Sequence, residues 1–310
     1  MKRKISVVTA CFNEEGNVEA LYLEVKRIFE LLPDYEYEHI FIDNASSDNT
    51  VPILKKLAAK DKNIKVIVNA MNFGHIRSPF HALLQASGDA VISLVADFQD
   101  PPSMIIDFIK EWESGYKIVI GVKNKSKESK VMYLIRSIYY RLVKIMSTTD
   151  HISHFTGFGL FDKSVMEIIK TYNDPYPYFR GIISEIGFAR KEIHYEQPKR
   201  LSGKTKNNLY TLYDMAMLGF VNHSKVPLRL SVFTGFFVAV MSLLTAFIYL
   251  ILKLVFWDTF EFGLAPLIIS IFFFSAVQLL FLGIIGEYIG AIYTQVKNRP
   301  LVVEKERINF

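Results

Sequence analysis

Carboxylates and amides recur just after short apolar runs in this 310-residue chain, where oxygen-based chemistry could use them. Asp97, Gln99 and Asp100 directly follow the run Ala90 to Val95, and Pro101 and Pro102 stop the chain before a helix expected from about Ser103. A hard divalent cation takes oxygen ligands and leaves its remaining positions to phosphate oxygens, so Asp97 and the carbonyl of Gln99 on one turn would suit it. Asp100, before a proline, reads as a helix cap or turn residue. Asp43 ends a second apolar run and opens the stretch D-N-A-S-S-D, in which Ser46, Ser47 or Asp48 can cap a helix starting near Thr50. Capping accounts for Asp48. It does not account for Asp43 followed by Asn44, a strand-end pair able to exchange hydrogen bonds with the edge of a base.

The elements that must position these residues follow from periodicity. Ile5 to Thr9, Ile40 to Ile42, Lys65 to Val68, Ala90 to Val95 and Lys117 to Val122 are apolar and β-branched. Stretches of helical period separate them, as in Val18 to Leu32 with Val18, Leu21, Val25, Ile28 and Leu32 on one stripe. Near-continuous apolar strands joined by helices predict an α/β fold with a parallel sheet covered on both faces. Ligands of such sheets bind at the carboxyl ends of the strands. The polar stretches there are Thr9 to Glu15, Asp43 to Asp48, Asn69 to Gly74 and Asp97 to Asp100. No G-x-G-x-x-G follows the first strand and no Walker loop occurs, so a dinucleotide oxidoreductase or a phosphate-loop ATPase has little support.

The charges are unevenly placed. The chain holds 36 Lys and Arg and 31 Asp and Glu, yet Leu230 to Leu252 and Leu264 to Gly286 are each 23 residues without any of them. As helices, each would reach about 34 Å, enough for a hydrocarbon core of about 30 Å, so two transmembrane helices are expected. Lys225 and Arg229 precede the first and Lys297, Arg299, Lys305 and Arg307 follow the second, whereas the connecting loop carries only Lys253. That bias places both long ends in the cytoplasm. No signal peptide is evident at the amino terminus. One cysteine, Cys11, excludes an internal disulfide and agrees with a reducing compartment.

The motifs V-V-T-A-C-F-N-E-E-G-N-V from Val7, F-I-D-N-A-S-S-D-N-T from Phe41, N-F-G-H from Asn72 and A-D-F-Q-D-P-P from Ala96, followed by two spans and G-E-Y-I-G-A-I-Y from Gly286, resemble glycosyltransferase family 2. Within it they are similar to the polyisoprenyl-phosphate glycosyltransferases, a group that includes bactoprenol glucosyltransferases and dolichyl-phosphate mannose synthase. The resemblance implies a GT-A nucleotide-sugar-binding domain over residues 1–206, a juxtamembrane segment over 207–229, the two spans, and a cytoplasmic tail from 287. It implies an inverting transfer from a nucleoside-diphosphate sugar, a UDP-sugar by analogy, to polyprenyl (undecaprenyl) phosphate for cell-envelope glycans. Thr9, Asn13, Glu14, Asp43 and Asn72 would line the nucleoside pocket, and Asp97 and Gln99 would hold Mg²⁺ or Mn²⁺ against the diphosphate. Read without the resemblance, Asn13 and Glu14 are a loop and helix cap, and Asn72 is a turn residue beside Gly74. Relatives also suggest that the spans associate into a homo-oligomer, and nucleic acid is not an expected partner. The cytoplasmic membrane is the expected location.

Two motifs depart from the family pattern. Val95 stands where D-A-D-x-Q-D has its first Asp, and in H-F-T-G-F-G-L-F-D Gly157 and Gly159 replace the acidic residue and the Arg of G-D-F-R-L. They admit a second reading, a catalytically silent membrane partner of a flippase or another transferase. A phosphate acceptor weakens that objection. With a second pKa of about 6 it is already mostly a dianion at pH 7, so no protein base is required. Cations are required, to neutralise the departing diphosphate and hold two phosphates together. Lys199, Arg200, Lys204 and Lys206 lie in K-R-L-S-G-K-T-K, similar to the family loop R-x-x-G-x-S-K, in which Arg200 and Lys206 match the basic positions. A polybasic strip drawn to anionic lipid is the plainer reading. Residues 130–147 read as an amphipathic interfacial helix from which Arg136 and Arg141 could meet the lipid phosphate, with Lys123 as a third candidate. His154 could substitute as a polar contact near the acceptor. His75 and His81 lack metal-ligand spacing, and Arg180 fits a phosphate contact or a turn stabiliser.

Overall fold

The computed structural model describes residues 2–124, 152, 155–198, 226–256 and 264–310. The alternating pattern builds β1 (Arg3–Cys11), α1 (Val18–Glu30), β2 (Tyr35–Asp43), α2 (Thr50–Lys60), β3 (Ile64–Asn69), α3 (Gly74–Leu84), β4 (Ala90–Val95), α4 (Met104–Glu113) and β5 (Ile118–Lys123). After these come β6 (Phe155–Asp162), α5 (Lys163–Thr171), α6 (Phe179–Glu185) and β7 (Arg190–Tyr195). The chain continues with α7 (Val226–Val255), α8 (Leu264–Lys297) and β8 (Glu304–Ile308).

One sheet of eight strands runs in the order β7-β5-β6-β4-β1-β2-β3-β8. The five strands expected from sequence share one direction, but the sheet is mixed. β6 enters antiparallel between β4 and β5, and β8 lies antiparallel on β3. Glycines at 157 and 159 hid β6 from a reading based on apolar runs, yet the sheet needs Gly159, since a Cβ there would lie 2.4 Å from the Val119 carbonyl oxygen. Alternate side chains of each strand serve opposite faces. Val7, Phe41, Val66 and Ile92 meet α1, α2 and α4 through Leu21, Val25, Leu54 and Phe108. Val8, Ile40, Ile67 and Val91 meet α3, α5 and α6 through Phe80, Leu83, Val165 and Ile182.

The first of these cores contains a histidine. His39 is fully buried beside Phe41, with ring centroids 3.9 Å apart, and its Nε2 shares a hydrogen bond of 3.0 Å with Thr9 Oγ1. Burial pulls its pKa down from 6.5 to about 3, so the folded protein refuses a proton that the unfolded chain accepts. Stability is therefore fully present above pH 6.5 and falls by about 1.4 kcal/mol per pH unit on acidification toward pH 3. In denaturant unfolding between pH 6 and pH 4, the stability difference between wild type and His39→Gln should change with that slope.

α7 and α8 have the length and composition of membrane-crossing helices, each holding an 18-residue stretch of mean hydropathy 2.4 and 2.5 respectively, with none of that stretch buried. Both outrun the charge-free runs. α7 begins at Val226 with Pro227 in its first turn, and α8 carries G-E-Y-I-G-A-I-Y as continuous helix to Lys297. The segment after α8 then returns to the sheet, a feature invisible in the charged sequence E-K-E-R-I. Beyond the β3–β8 pairing, three α3-side residues spaced by four meet it: Arg77 donates to the Pro300 carbonyl (2.7 Å), His81 pairs with Glu304 (2.7 Å) and Gln85 accepts from Arg307 (2.9 Å).

Candidate active site

The strand register brings four polar loops to one edge. Cys11 stands opposite Asp43, Asp43 opposite Val68, and Ala10 opposite Val95, so β4, β1, β2 and β3 end at a common level. Three of the loops that follow contain a non-glycine residue in the left-handed region: Asn13 (φ 56°), Ala45 (φ 61°) and Phe98 (φ 59°). Asparagine tolerates this conformation, whereas alanine and phenylalanine hold it at a cost of about 1 kcal/mol or more. Strain of this kind concentrates where loops are shaped for a ligand.

The loops after β1 and β2 are stitched together. Asn13 donates its backbone N–H to Ser46 Oγ (2.8 Å) and accepts from the Ser47 N–H through its side-chain oxygen (2.8 Å). Glu14 N–H donates to Thr50 Oγ1 (2.9 Å), and Glu15 accepts from the Asn49 backbone (3.0 Å). Asp48 accepts from Thr50 N–H (3.0 Å) and so holds the turn leading into α2, although the cap position itself falls to Asn49. Asp43 accepts from the Ser46 N–H (2.9 Å) and hydroxyl. Burial raises the Asp43 pKa against the opposing hydrogen bonds from Ser46.

Two residues expected to line the pocket lie beneath the loops in this geometry. Thr9 and Asp43 are both 0 % exposed. Thr9 lies on the strand face that packs on α1 and α2, with its hydroxyl shared by His39, and Asp43 is covered by the Ser46 turn. They brace the loops from beneath. Asn13 and Glu14 are partly exposed above them, and Asn72 is exposed.

Asn44 is the hub of a second network that the residue-by-residue reading underrated. Its amide donates to Asn72 Oδ1 (2.8 Å) and the Gly74 carbonyl (3.1 Å), and its Oδ1 accepts from Asn69 Nδ2 (3.1 Å) and Phe73 N–H (2.9 Å). Asn72 also accepts from Gly74 N–H (2.8 Å), which makes it the turn residue before α3. The signal was the asparagine at each strand end, Asn44 after β2 and Asn69 closing β3.

At the end of β4 the backbone turns sharply through Asp97, Phe98, Gln99 and Asp100. Gln99 N–H donates to Asp97 Oδ1 (3.1 Å), and Asp97 is 7 % exposed. Asp100 is buried and accepts from the Tyr195 hydroxyl (2.6 Å). Burial raises the Asp100 pKa to about 6, with the neighbouring Asp97 adding to the rise and Tyr195 and Lys123 opposing it. Two carboxyl groups thus share one turn with only partial neutralisation. The Asp97 carboxylate and the Gln99 carbonyl on this turn fit Mg²⁺ or Mn²⁺, which use one or two carboxylates and fill the rest of their sphere with water and substrate phosphates. Asp100 is part of this turn, not the cap of α4, and no sequence signal pointed to its partner Tyr195.

Arg136, Arg141, His154, Arg200 and Lys206, together with the interfacial helix expected over 130–147, lie outside the described residues. Val95 is 40 % exposed at the end of β4, beside the turn. Gly157 has φ 103°, a backbone that a side chain would strain. Arg180 donates to the Phe155 carbonyl (3.3 Å), in keeping with its turn-stabilising reading, and His81 serves the C-terminal strand. Two surface clefts of about 650 and 640 Å³ open at the opposite, amino-terminal end of the strands, around Arg3 and Asp89 and around Lys4 and Asp61. Their mixed charges have no strand-end loops to work with.

Known proteins resemble the chain over these loops and well beyond them. The model of the family "Glycosyl transferase family 2" matches residues 6–173, which contain all four loops. The chain belongs to glycosyltransferase family 2. The SfII prophage-derived bactoprenol glucosyl transferase of Shigella flexneri is 34% identical over 304 residues, covering 98% of this chain and 98% of its own. The uncharacterized glycosyltransferase YkcC of Bacillus subtilis is 33% identical over 299 residues, covering 96% and 92%. Among solved structures, glucosyl-3-phosphoglycerate synthase from Mycobacterium tuberculosis, in complex with Mn²⁺, UDP and phosphoglyceric acid, matches with a TM-score of 0.50 at 17% identity, over 71% of this chain and 76% of that one. The mixed sheet is a GT-A-like fold, and the protein is a glycosyltransferase.

Proposed function

We propose that this family 2 enzyme transfers a sugar, with inversion, from a UDP-sugar to polyprenyl phosphate at the cytoplasmic face of a membrane. The observation that carries the proposal is the pair of carboxyl groups on the Asp97–Asp100 turn, at the strand-end edge of a chain that also holds two membrane-length helices. Relatives named for bactoprenol glucosyl transfer over nearly the whole chain support the acceptor, and the UDP and Mn²⁺ of a protein sharing the fold support the donor.

Asn13, Glu14 and Asn72 border the nucleoside, over the loops that Asp43 and Asn44 hold in place. Asp97 and Gln99 would hold the divalent cation, Mg²⁺ or Mn²⁺, which would supply positive charge against the departing diphosphate. Arg200 and Lys206 close on the donor phosphates, while Arg136 and Arg141 receive the lipid phosphate. An acceptor phosphate oxygen forms the new bond to the anomeric carbon as the bond from that carbon to the diphosphate breaks. The electron pair leaves with the nucleoside diphosphate. Because the acceptor dianion carries no proton to remove, a glycine at 157 costs the reaction nothing. The catalytic domain lies in the cytoplasm, α7 and α8 cross the membrane, the chains associate as a homo-oligomer, and the product serves cell-envelope glycosylation.

Thermal unfolding with a panel of nucleotide sugars tests the donor. A UDP-sugar should raise the transition in the presence of Mn²⁺ and lose that effect with chelator. Stabilisation by none of them would contradict the proposal. Val95 and Gly157 favour a silent, non-catalytic reading. It predicts binding of the same ligand without release of UDP when polyprenyl phosphate is added.

A further inference from the structure

Tyr195, the last residue of the edge strand β7, joins more of the site than its place suggests. Its hydroxyl donates to Asp100 Oδ1 (2.6 Å), and its carbonyl accepts from the Asn124 N–H (3.0 Å), just after β5. Its ring packs edge-on against Phe158 of β6 with centroids 5.6 Å apart. The neighbouring strand makes room for both rings, because a Cβ at Gly121 would come within 3.1 Å of the Tyr195 ring and 2.7 Å of Phe158. A buried ring with so fixed a setting has lost its side-chain freedom already, so its hydroxyl is held in place for Asp100.

Asp100 in turn ends the sharp Asp97–Asp100 bend, where Phe98 is left-handed and Pro101 stiffens the exit. A carboxyl group that is 2 % exposed needs a donor, and the bend has only a short backbone in which to adjust if that donor is lost. We propose that Tyr195 is a positioning residue for sugar transfer: through Asp100 it fixes the bend that presents Asp97 and Gln99 to the cation and the donor diphosphate. This rests on Asp97 and Gln99 being the cation's ligands. The partner that holds a metal-bearing turn typically changes metal affinity by about 10- to 100-fold when removed.

The test measures binding of Mn²⁺ with UDP by calorimetry on full-length protein, together with thermal unfolding and separate kcat and KM values. Tyr195→Phe keeps the ring and removes only the donor. It should weaken Mn²⁺–UDP binding about 10-fold and raise KM for the donor, while kcat at saturation stays within about threefold. Asp100→Asn retains an acceptor for the Tyr195 hydroxyl and should bind within about threefold of wild type, whereas Asp100→Leu should match Tyr195→Phe. A Tyr195→Phe protein that unfolds earlier but binds Mn²⁺–UDP like wild type would make the bond purely structural and overturn the proposal. An Asp100→Asn protein as deficient as Asp97→Ala would make Asp100 a ligand itself, and would also overturn it. Unchanged binding in Asp97→Ala would overturn the cation site and the proposal with it, separately from any result at Tyr195.

Discussion

Asp97→Ala should lower kcat/KM for sugar transfer by about 10³-fold or more, because the cation supplies several kcal/mol of charge stabilisation to the departing diphosphate. The side chain lies at 7 % exposure in a turn whose other carboxyl already accepts from Tyr195. The fold should survive. Asp97 sits in a strand-end turn, where it accepts from the Gln99 N–H (3.1 Å). Steady-state kinetics with Mn²⁺ titrated from zero check the effect. A loss of less than tenfold at saturating Mn²⁺ would remove Asp97 from the chemistry.

The largest effect on stability is expected at the other end of the sheet. Glu38 on β2 is buried and accepts from Ser6 Oγ (2.6 Å), Ser87 N–H (2.9 Å), Lys4 Nζ (2.7 Å) and Lys65 Nζ (2.8 Å). Burial alone would raise its pKa, but the hydrogen bonds from Lys4, Lys65, Ser6 and Ser87 outweigh that and bring it from 4.5 down to about 2. Replacing it with alanine strands two partly buried lysines and two hydroxyls, which should cost about 3–5 kcal/mol. The sign of the pH dependence follows from the lowered pKa. The contribution is fully present above pH 4.5 and is lost as pH falls toward 2. Denaturant unfolding of wild type and Glu38→Ala should therefore differ most near neutrality and converge in acid. A difference below about 1 kcal/mol at pH 7 would contradict the account.

Much of this architecture was readable in the residues. Apolar strands alternating with 3.6-period stripes located five strands and the first helix, because both faces of a parallel sheet must be greasy, although β2, read as Ile40 to Ile42, runs from Tyr35 to Asp43. The charge-free stretches gave α7 and α8 their cores. What escaped were pairings that local pattern does not encode. β6 carries glycines at 157 and 159 and reads as a loop, yet Gly159 is required by the approach of the Val119 carbonyl. β8 alternates charges, as an edge strand can, and finds its partner 235 or more residues earlier, so nothing nearby in sequence announces it.

The site was legible as a list and less so as a geometry. Strand-end carboxylates and amides marked the four loops that the strand register brings together. Which of them face a ligand depends on side-chain direction. Thr9 follows the strand's alternation into the helix-covered face, and Asp43 is capped by a serine three residues on. Asp100 looked like a cap because it precedes proline, and only the arrival of β7 shows that it has a tyrosine to bind.

The central claim is that the attacking group is a phosphate needing no base. Incubating the purified membrane protein with Mn²⁺ and a UDP-sugar labelled in the sugar, alongside either polyprenyl phosphate or the matching polyprenol, tests it directly. The account predicts label in an organic-extractable, acid-labile lipid with polyprenyl phosphate and none with polyprenol. Equal labelling of the free alcohol, or no labelled lipid from any UDP-sugar, would contradict it.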